Sequence, residues 1–164
     1  MRKKIFLKAV SLILPAFMLV ACSGSLGIAS PAADLSLRDM NGNMVNLSDH
    51  KGKVIILDFF ATWCPPCRQE IPDFVDLQNR YGGQGFVMIG VSLSRPDDTR
   101  PFAEALGVNY TVMIADRKTV SLYGPIRAIP VTFVIGKDFK IARKYIGYRP
   151  KEVFEKDIIE LLAK

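Results

Sequence analysis

The chain has few of the side chains that usually hold metal ions or cross-link a fold. Its 164 residues include one histidine, three cysteines and one tryptophan. A structural zinc site needs four ligands, which usually come from two cysteine or histidine clusters. Only one such cluster, Cys64 to Cys67, occurs in the sequence. We therefore expect neither a metal site nor a bound cofactor.

The sequence also lacks an apolar run of the roughly 18 residues that a membrane-spanning helix needs. The apolar stretch from Ile5 to Val20 is interrupted by Lys8, and it follows a basic start at residues 2–4. This arrangement is typical of a secretory signal. We predict that residues 1–21 are a signal peptide and are not part of the fold.

The predicted signal ends in Leu19-Val20-Ala21-Cys22, which resembles a bacterial lipobox. The resemblance implies that Cys22 becomes lipidated and anchors the mature chain to a membrane. The alternative is an ordinary signal peptide beside an uninvolved Cys22. Because Ser23 rather than aspartate follows the cysteine, the lipoprotein sorting pattern implies the outer membrane in a cell that has one. The small and polar residues of 22–33 predict a flexible tether.

The positive charge of the chain is concentrated in the predicted signal. The full sequence carries a net charge of +6. Residues 2–4 and Lys8 supply four positive charges and the signal has no acid, so the mature chain carries about +2. This small excess argues against a nucleic-acid partner. Residues 34–164 are enough for one domain with its own core, which we expect to be a monomer.

Strand and helix patterns alternate through this predicted domain. Asn41-Gly42 is a strong turn signal between two short strands at 35–37 and 44–47, which predicts a β-hairpin. Further strands are predicted at 53–60, 86–92, 110–114, 131–135 and 140–146, and helices at 65–80, from Asp97 or Asp98 to about 106, at 118–123 and from Pro150 onward. The alternation predicts an α/β fold with a mixed sheet covered on both faces.

Two cysteines lie where the 53–60 strand gives way to a helix, in the segment Trp63-Cys64-Pro65-Pro66-Cys67. The helix dipole and the free N–H groups at a helix start favour a thiolate and lower a thiol pKa. We therefore expect Cys64 to be the attacking nucleophile and the more buried Cys67 to be the resolving thiol. A loop of four residues removes little chain entropy, so a redox role fits the pair better than a structural one.

This motif, together with Pro72 and Ile129-Pro130, resembles the thioredoxin superfamily. Within it, the chain is most similar to the TlpA/ResA-like branch of membrane-tethered thiol–disulfide oxidoreductases, over essentially all of residues 34–164. The resemblance implies a thioredoxin-like three-layer α/β/α fold with an N-terminal hairpin and an inserted helix and strand at about 97–114. It also implies that the Ile129–Pro130 peptide bond is cis and lies against the disulfide.

The resemblance suggests roles for residues around the cysteines. Asp58 matches a buried aspartate that accepts or relays the proton of the resolving cysteine, although strand alternation could instead turn it to solvent or to a backbone partner. Glu70 matches a glutamate that tunes cysteine acidity, and the alternative is an exposed acid favoured by the helix dipole. The expected substrate-docking residues are Trp63, Pro65, Pro66, Ile129 and Pro130.

The sequence thus predicts an extracytoplasmic, lipid-anchored thiol–disulfide oxidoreductase with protein disulfides as substrates. Strong oxidants of the superfamily often carry histidine between the cysteines, and this chain does not, which favours a reductant. The family suggests a membrane thiol reductase as electron donor and apocytochrome c as a client during cytochrome c maturation.

Two other functions stay open at this point. A thiol peroxidase would place a proline and a threonine before its reactive cysteine, and here only Thr62 is present, two residues before Cys64. A copper-binding chaperone of the same fold would space its cysteines three apart and add a late histidine. The single histidine, His50, precedes the motif.

Overall fold

The computed structural model describes residues 30–164, so the predicted signal peptide and Cys22 lie outside the described residues. From residue 35 onward the predicted order of strands and helices is confirmed. The strands are β1 (Ser30–Pro31), β2 (Ser36–Arg38), β3 (Met44–Asn46), β4 (Val54–Phe60), β5 (Phe86–Ser92), β6 (Thr111–Ile114), β7 (Val131–Ile135) and β8 (Lys140–Ile146). The helices are α1 (Pro65–Tyr81), α2 (Pro96–Ala105), α3 (Arg117–Val120) and α4 (Lys151–Leu162), with 3₁₀ turns at Leu47–His50, Gly82–Gln84 and Ser121–Tyr123.

Six strands form one mixed sheet in the order β1-β8-β7-β4-β5-β6, and β2 pairs with β3 in a separate hairpin. β4, β5 and β6 run parallel, whereas β7, β8 and β1 pair antiparallel with their neighbours. β4 lies between β7 and β5, and all seven of its residues are buried. A strand paired on both sides and covered on both faces explains the nearly continuous apolar run in its sequence.

The two faces of the sheet bury different sets of apolar side chains. Val54 and Ile56 of β4 pack with Phe74 of α1 and Phe154 of α4. The alternate residues of β4 face the other way, into a cluster with the hairpin and the 3₁₀ turns (Ile55, Leu57, Phe59, Leu37, Leu47 and Tyr123). The sheet is therefore the middle of three layers, with α1 and α4 on one side and the hairpin and short helical turns on the other.

The folded part begins earlier than the sequence predicts. Ser30 and Pro31 pair with β8, and the Ala32 N–H donates to the Phe139 carbonyl at 3.0 Å. Ala32 is only 7% exposed. Residues 30–33, which were predicted as tether, thus belong to the sheet edge, and the domain extends four residues before the predicted start at 34. A two-residue edge strand has no periodicity of its own, because its pairing depends on a distant partner.

The inserted helix α2 begins at Pro96, before the Asp97 or Asp98 that the sequence suggests, and Arg95 is its N-cap. Proline suits the first helical position because the N–H it lacks would have no partner there. Both aspartates lie instead in the first turn, where the helix dipole favours negative charge. None of the helices within residues 30–164 is long and apolar enough to cross a bilayer.

Candidate active site

Cys64 and Cys67 form a disulfide at the start of α1. Cys64 is the N-cap residue, and Pro65 and Pro66 are the first two helical residues. Since proline has no N–H, the first main-chain donor of the helix belongs to Cys67, and it reaches the Cys64 Sγ at 3.3 Å. The helix start therefore offers the Cys64 sulfur one N–H group in this turn.

The disulfide itself is buried, but it lies directly beside exposed surface. Cys64 is 3% exposed and Cys67 is 0% exposed, so the expected difference in burial is small. Trp63, by contrast, is 71% exposed directly beside Cys64. On the other side, the Ile129 carbonyl oxygen lies 3.8 Å from the Cys64 Sγ. The Ile129–Pro130 peptide bond is cis, as the resemblance implies.

The five predicted docking residues differ in how much surface they offer. Trp63 and Pro65 are exposed, Pro66 and Ile129 are half-buried, and Pro130 is buried. The buried Pro130 ring therefore offers no surface to a partner, whereas the main chain of Ile129 lies beside the Cys64 sulfur. Four of the five, all except Pro130, thus contribute to the surface that the start of α1 and the loop before β7 form around Cys64.

Asp58 lies in the interior of β4 and is only 2% exposed, which excludes the solvent-facing alternative. The Thr132 hydroxyl of the neighbouring strand donates to its Oδ1 at 3.0 Å. Burial raises the pKa of Asp58 well above its ordinary value, and the nearby Glu70 charge raises it further, while the Thr132 bond acts in the opposite direction. Asp58 is therefore a carboxyl that holds a proton at unusually high pH.

Glu70 is fully buried on α1, so the alternative of an exposed acid in the first turn is wrong. Its Oε1 accepts the main-chain N–H of Arg149 at 2.9 Å, and its Oε2 has no hydrogen-bond partner among the described residues. Burial raises the pKa of Glu70 to about 7, although the Arg149 N–H opposes this shift. A carboxyl with this pKa changes its protonation near neutral pH.

Two contacts join the loop after β8 to both sides of the site. The Gly147 N–H donates to the Pro130 carbonyl at 2.8 Å, and two residues later the Arg149 N–H donates to Glu70. This loop thus connects the Pro130 segment with α1. The sequence does not single out this loop, because both donors are main-chain groups that any residue type can supply.

Tyr110 is a further buried titratable group that the sequence did not single out. Burial raises its pKa well above its ordinary value, and the charges of Asp58 and Glu70 raise it further. The Tyr110 phenol therefore stays neutral beside the two carboxyls. No group of three or more potential metal ligands occurs within residues 30–164.

A disulfide at a helix start beside a cis-proline segment, together with a buried aspartate on the central strand of a mixed sheet, defines a redox protein of the thioredoxin fold. Thiol–disulfide exchange is the chemistry that such a pair supports.

Comparison with known proteins agrees with this class. The AhpC/TSA family pattern matches residues 28–144. The chain is 33% identical to the thiol-disulfide oxidoreductase ResA of Geobacillus thermodenitrificans over 131 residues, which cover 78% of this chain and 74% of that protein. It is 31% identical to ResA of Bacillus subtilis over 125 residues, or 75% and 69% of the two chains.

A solved structure shows the same relationship. The crystal structure of a thiol:disulfide interchange protein of the thioredoxin family from Chlorobium tepidum TLS matches with a TM-score of 0.77 and 31% identity, over 82% of this chain and 97% of that one. The chain belongs to the AhpC/TSA family, in its ResA-like branch, and is a thiol–disulfide oxidoreductase.

Proposed function

We propose that this protein is an extracytoplasmic, lipid-anchored reductant of protein disulfides in which Cys64 attacks and Cys67 resolves. The observation that carries the assignment of the two thiols is the position of Cys64. Its sulfur caps α1, accepts the Cys67 N–H and lies between the exposed Trp63 and the Ile129 carbonyl. Cys67 lies inside the helix, whereas Cys64 directly follows the exposed Trp63, so a protein partner meets Cys64 first.

In the first step, the Cys64 thiolate attacks one sulfur of the partner's disulfide. A mixed disulfide forms between Cys64 and the partner, and the partner's other sulfur leaves as a thiolate that takes up a proton. The N–H of Cys67 stabilises the negative charge on Cys64 before the attack. Trp63 and the Ile129 main chain supply the surface against which the partner's chain lies.

In the second step, the Cys67 thiol gives up its proton and its thiolate attacks the Cys64 sulfur. The Cys64–Cys67 disulfide forms, and the partner's second sulfur leaves and is protonated. Two electrons have then moved from the dithiol to the partner, and two protons have followed. Asp58 is the proposed proton acceptor for Cys67, because its burial favours the protonated carboxyl. Glu70 tunes the same step from α1.

The Pro65-Pro66 pair supports the reducing direction. A cysteine thiolate that receives fewer stabilising donors makes the dithiol less favoured relative to the disulfide, so the pair gives up electrons more readily. Because both prolines lack an N–H, the Cys64 sulfur receives the Cys67 donor alone from the first three helical residues. A membrane thiol reductase is the proposed source of the electrons that regenerate the dithiol.

The location outside the cytoplasm rests on the sequence of residues 1–22. The signal pattern and the lipobox at Cys22 support export and anchoring. Seven residues separate Cys22 from β1, which pairs with β8 at the sheet edge.

The proposed direction and thiol roles are tested by insulin reduction and by trapping. We expect the full chain, in detergent and with dithiothreitol, to speed insulin reduction well beyond dithiothreitol alone. Cys67→Ser should accumulate a mixed disulfide with a disulfide-bonded protein, and Cys64→Ser should not. If the full chain adds nothing to the dithiothreitol rate and Cys67→Ser traps no partner, the proposal is wrong.

The surroundings of Thr62 do not favour the thiol-peroxidase alternative. Arg68 is the first arginine after the cysteines, and its Nε donates to the Thr62 carbonyl at 3.2 Å. Its guanidinium lies 5.0 Å from the centre of the Phe102 ring. These contacts direct Arg68 to the loop and to α2. An assay of peroxide consumption by the reduced protein separates the two functions.

A further inference from the structure

A row of four hydroxyl groups connects the start of α2 with the loop that carries Trp63 and Cys64. The row consists of Thr99, Ser92, Ser94 and Thr62. Ser92 and Thr99 are fully buried, while Ser94 and Thr62 are half-buried. The donors and acceptors follow one another from the Arg95 carbonyl at the start of α2 to Thr62, two positions before Cys64.

The hydrogen bonds at the inner end of this row have a defined direction. The Thr99 hydroxyl donates to the Arg95 carbonyl at 2.9 Å, so it accepts from Ser92 Oγ at 2.7 Å. The Ser92 hydroxyl in turn accepts the Ser94 N–H at 3.2 Å. Each buried hydroxyl thus both donates and accepts, which is how buried polar groups avoid an energetic penalty.

At the outer end, Ser94 holds Thr62 by two contacts. Its Oγ accepts the Thr62 N–H at 3.0 Å and lies 3.1 Å from the Thr62 Oγ1. Arg68 holds the Thr62 carbonyl from the other side. The next turn is closed by the Cys64 N–H, which donates to the Ala61 carbonyl at 3.1 Å. The polar main-chain groups of Thr62 are therefore both engaged, and Ser94 supplies the contacts from outside the α1 region.

The α2 segment also packs against the disulfide through apolar contacts. The Phe102 ring stacks on Phe60 with ring centres 6.0 Å apart. Phe102, Phe60, Cys64 and Cys67 belong to one buried cluster. The polar row and the aromatic stack together fix the loop between β4 and α1 relative to α2.

We propose that Ser94 is a positioning residue for disulfide exchange, which holds the Thr62–Cys64 loop so that the Cys64 sulfur stays against the Cys67 N–H. Without the Ser94 hydroxyl, the Thr62 N–H loses its partner and the loop gains freedom at its base. The sulfur then spends less time at the helix start, where the N–H and the helix dipole favour the thiolate. Ser94 acts through Thr62 and does not touch the sulfurs.

The test compares Ser94→Ala with Ser94→Thr, which keeps a hydroxyl, and with Ser36→Ala, an exposed serine on β2. Thiolate formation in the reduced full chain is followed by ultraviolet absorbance against pH. The dithiol–disulfide equilibrium is measured against glutathione. Neither readout needs a partner protein, so the outcome does not depend on the proposed direction of electron flow or on location.

We expect Ser94→Ala to move the midpoint of thiolate formation about 0.7 pH unit upward and the glutathione equilibrium about fivefold toward the disulfide, as expected for one lost hydrogen bond. Ser94→Thr should restore both values, and Ser36→Ala should change neither. If Ser94→Ala does not fold, Thr62→Val carries the test, with a smaller shift in the same direction. A folded Ser94→Ala protein with unchanged midpoint and equilibrium would overturn the proposal, even if its Tm falls.

Discussion

The two ends of α1 pack against the same face of the sheet, but they bury different kinds of side chain. At the end far from the disulfide, Phe74 and Leu77 lie among apolar side chains. The Phe74 and Phe154 ring centres are 5.1 Å apart. At the disulfide end the helix buries Glu70, and the facing strand buries Asp58. One end of the helix is therefore an apolar anchor, and the other end carries the buried Glu70 and faces the strand that buries Asp58.

The apolar end of α1 stabilises the fold, whereas the acidic end lies at the site of the chemistry. Burying apolar area contributes about 25 cal/mol per Å². Burying a carboxyl instead costs free energy unless it stays protonated or finds partners. Asp58 and Glu70 both have raised pKa values, and Glu70 also has an oxygen without a partner among the described residues. The apolar end offsets the cost of the acidic end, so substitutions at the two ends should affect different quantities.

The largest expected effect on stability is at the apolar end. Phe74→Ala leaves a cavity beside Phe154 and should lower the free energy of unfolding by about 3–5 kcal/mol. Denaturant unfolding of the full chain measures this loss, with Phe74→Leu as a milder control. Insulin reduction per folded molecule should stay near wild type. A large loss of exchange activity in the folded Phe74→Ala protein would mean that the apolar end also contributes to exchange.

Glu70→Gln tests the acidic end through the pH dependence of stability. The folded-state pKa of Glu70 is about 7, above its ordinary value of 4.5, so the folded state holds the proton more tightly than the unfolded state. Stability from this group is full below about pH 4.5 and is lost as the pH rises to about 7. The loss amounts to at most about 3 kcal/mol.

Glu70→Gln should remove this loss, so the unfolding free energies at pH 4.5 and pH 8 should become more alike. The introduced glutamine would still accept the Arg149 N–H through its side-chain oxygen. Glu104→Gln, which changes an exposed acid on α2, is the matched control and should leave the pH dependence unchanged. If the Glu70→Gln protein keeps the wild-type pH profile, folding does not raise the pKa of Glu70.

Asp58→Asn should slow exchange while stability at neutral pH is kept or increased. Loss of a positioned proton acceptor is expected to reduce the rate of insulin reduction about a hundredfold. Because the pKa of Asp58 is raised by burial, replacing the acid with a neutral amide removes a cost at neutral pH. The rate and the unfolding free energy are measured on the same preparation.

The control for Asp58→Asn is Asp157→Asn, which changes a buried acid on α4 that accepts the Tyr145 hydroxyl at 2.6 Å. It should change stability and leave the rate per folded molecule near wild type. If both variants slow exchange equally, Asp58 has no role in exchange beyond that of any buried acid.

The smallest expected effect is at the exposed surface. Trp63→Ala should raise the KM for a protein disulfide about fivefold, as for an exposed aromatic residue in a binding surface, and should leave kcat nearly unchanged. Its unfolding free energy should change by less than about 0.5 kcal/mol. Ile159→Ala, which alters an exposed apolar residue on α4, should change neither constant. If the wild type, Trp63→Ala and Ile159→Ala proteins have the same KM, Trp63 is not part of the docking surface.

The sequence predicts the elements at the acidic end of α1 well, because the patterns that indicate them lie in neighbouring residues. The apolar run of β4 with one aspartate, followed by the cysteines and a helical pattern, places Asp58 within the strand and Cys64 at the start of the helix. The Ile129-Pro130 pair, read through the family resemblance, predicts the cis segment. The burial of Glu70 stayed open, since a helical position alone does not show which side will be covered.

The contacts that the sequence did not predict join distant parts of the chain. β1 depends on β8, about 110 residues away, and its two residues carry no pattern. Arg149 meets Glu70 through a main-chain N–H, and any residue type could supply it. Ser94 reaches Thr62 from the loop after β5. Such contacts follow from the assembled sheet and helices, so a single sequence gives no periodicity that reveals them.

The reduction potential of the Cys64–Cys67 pair tests the proposed reducing function most directly. The Cys64 sulfur receives one N–H from the first helical turn, because Pro65 and Pro66 have none to give. We expect a potential near that of thioredoxin, about −270 mV, from equilibration of the full chain with glutathione or dithiothreitol. A potential near −120 mV, which is typical of a strong oxidant, would contradict the reducing function.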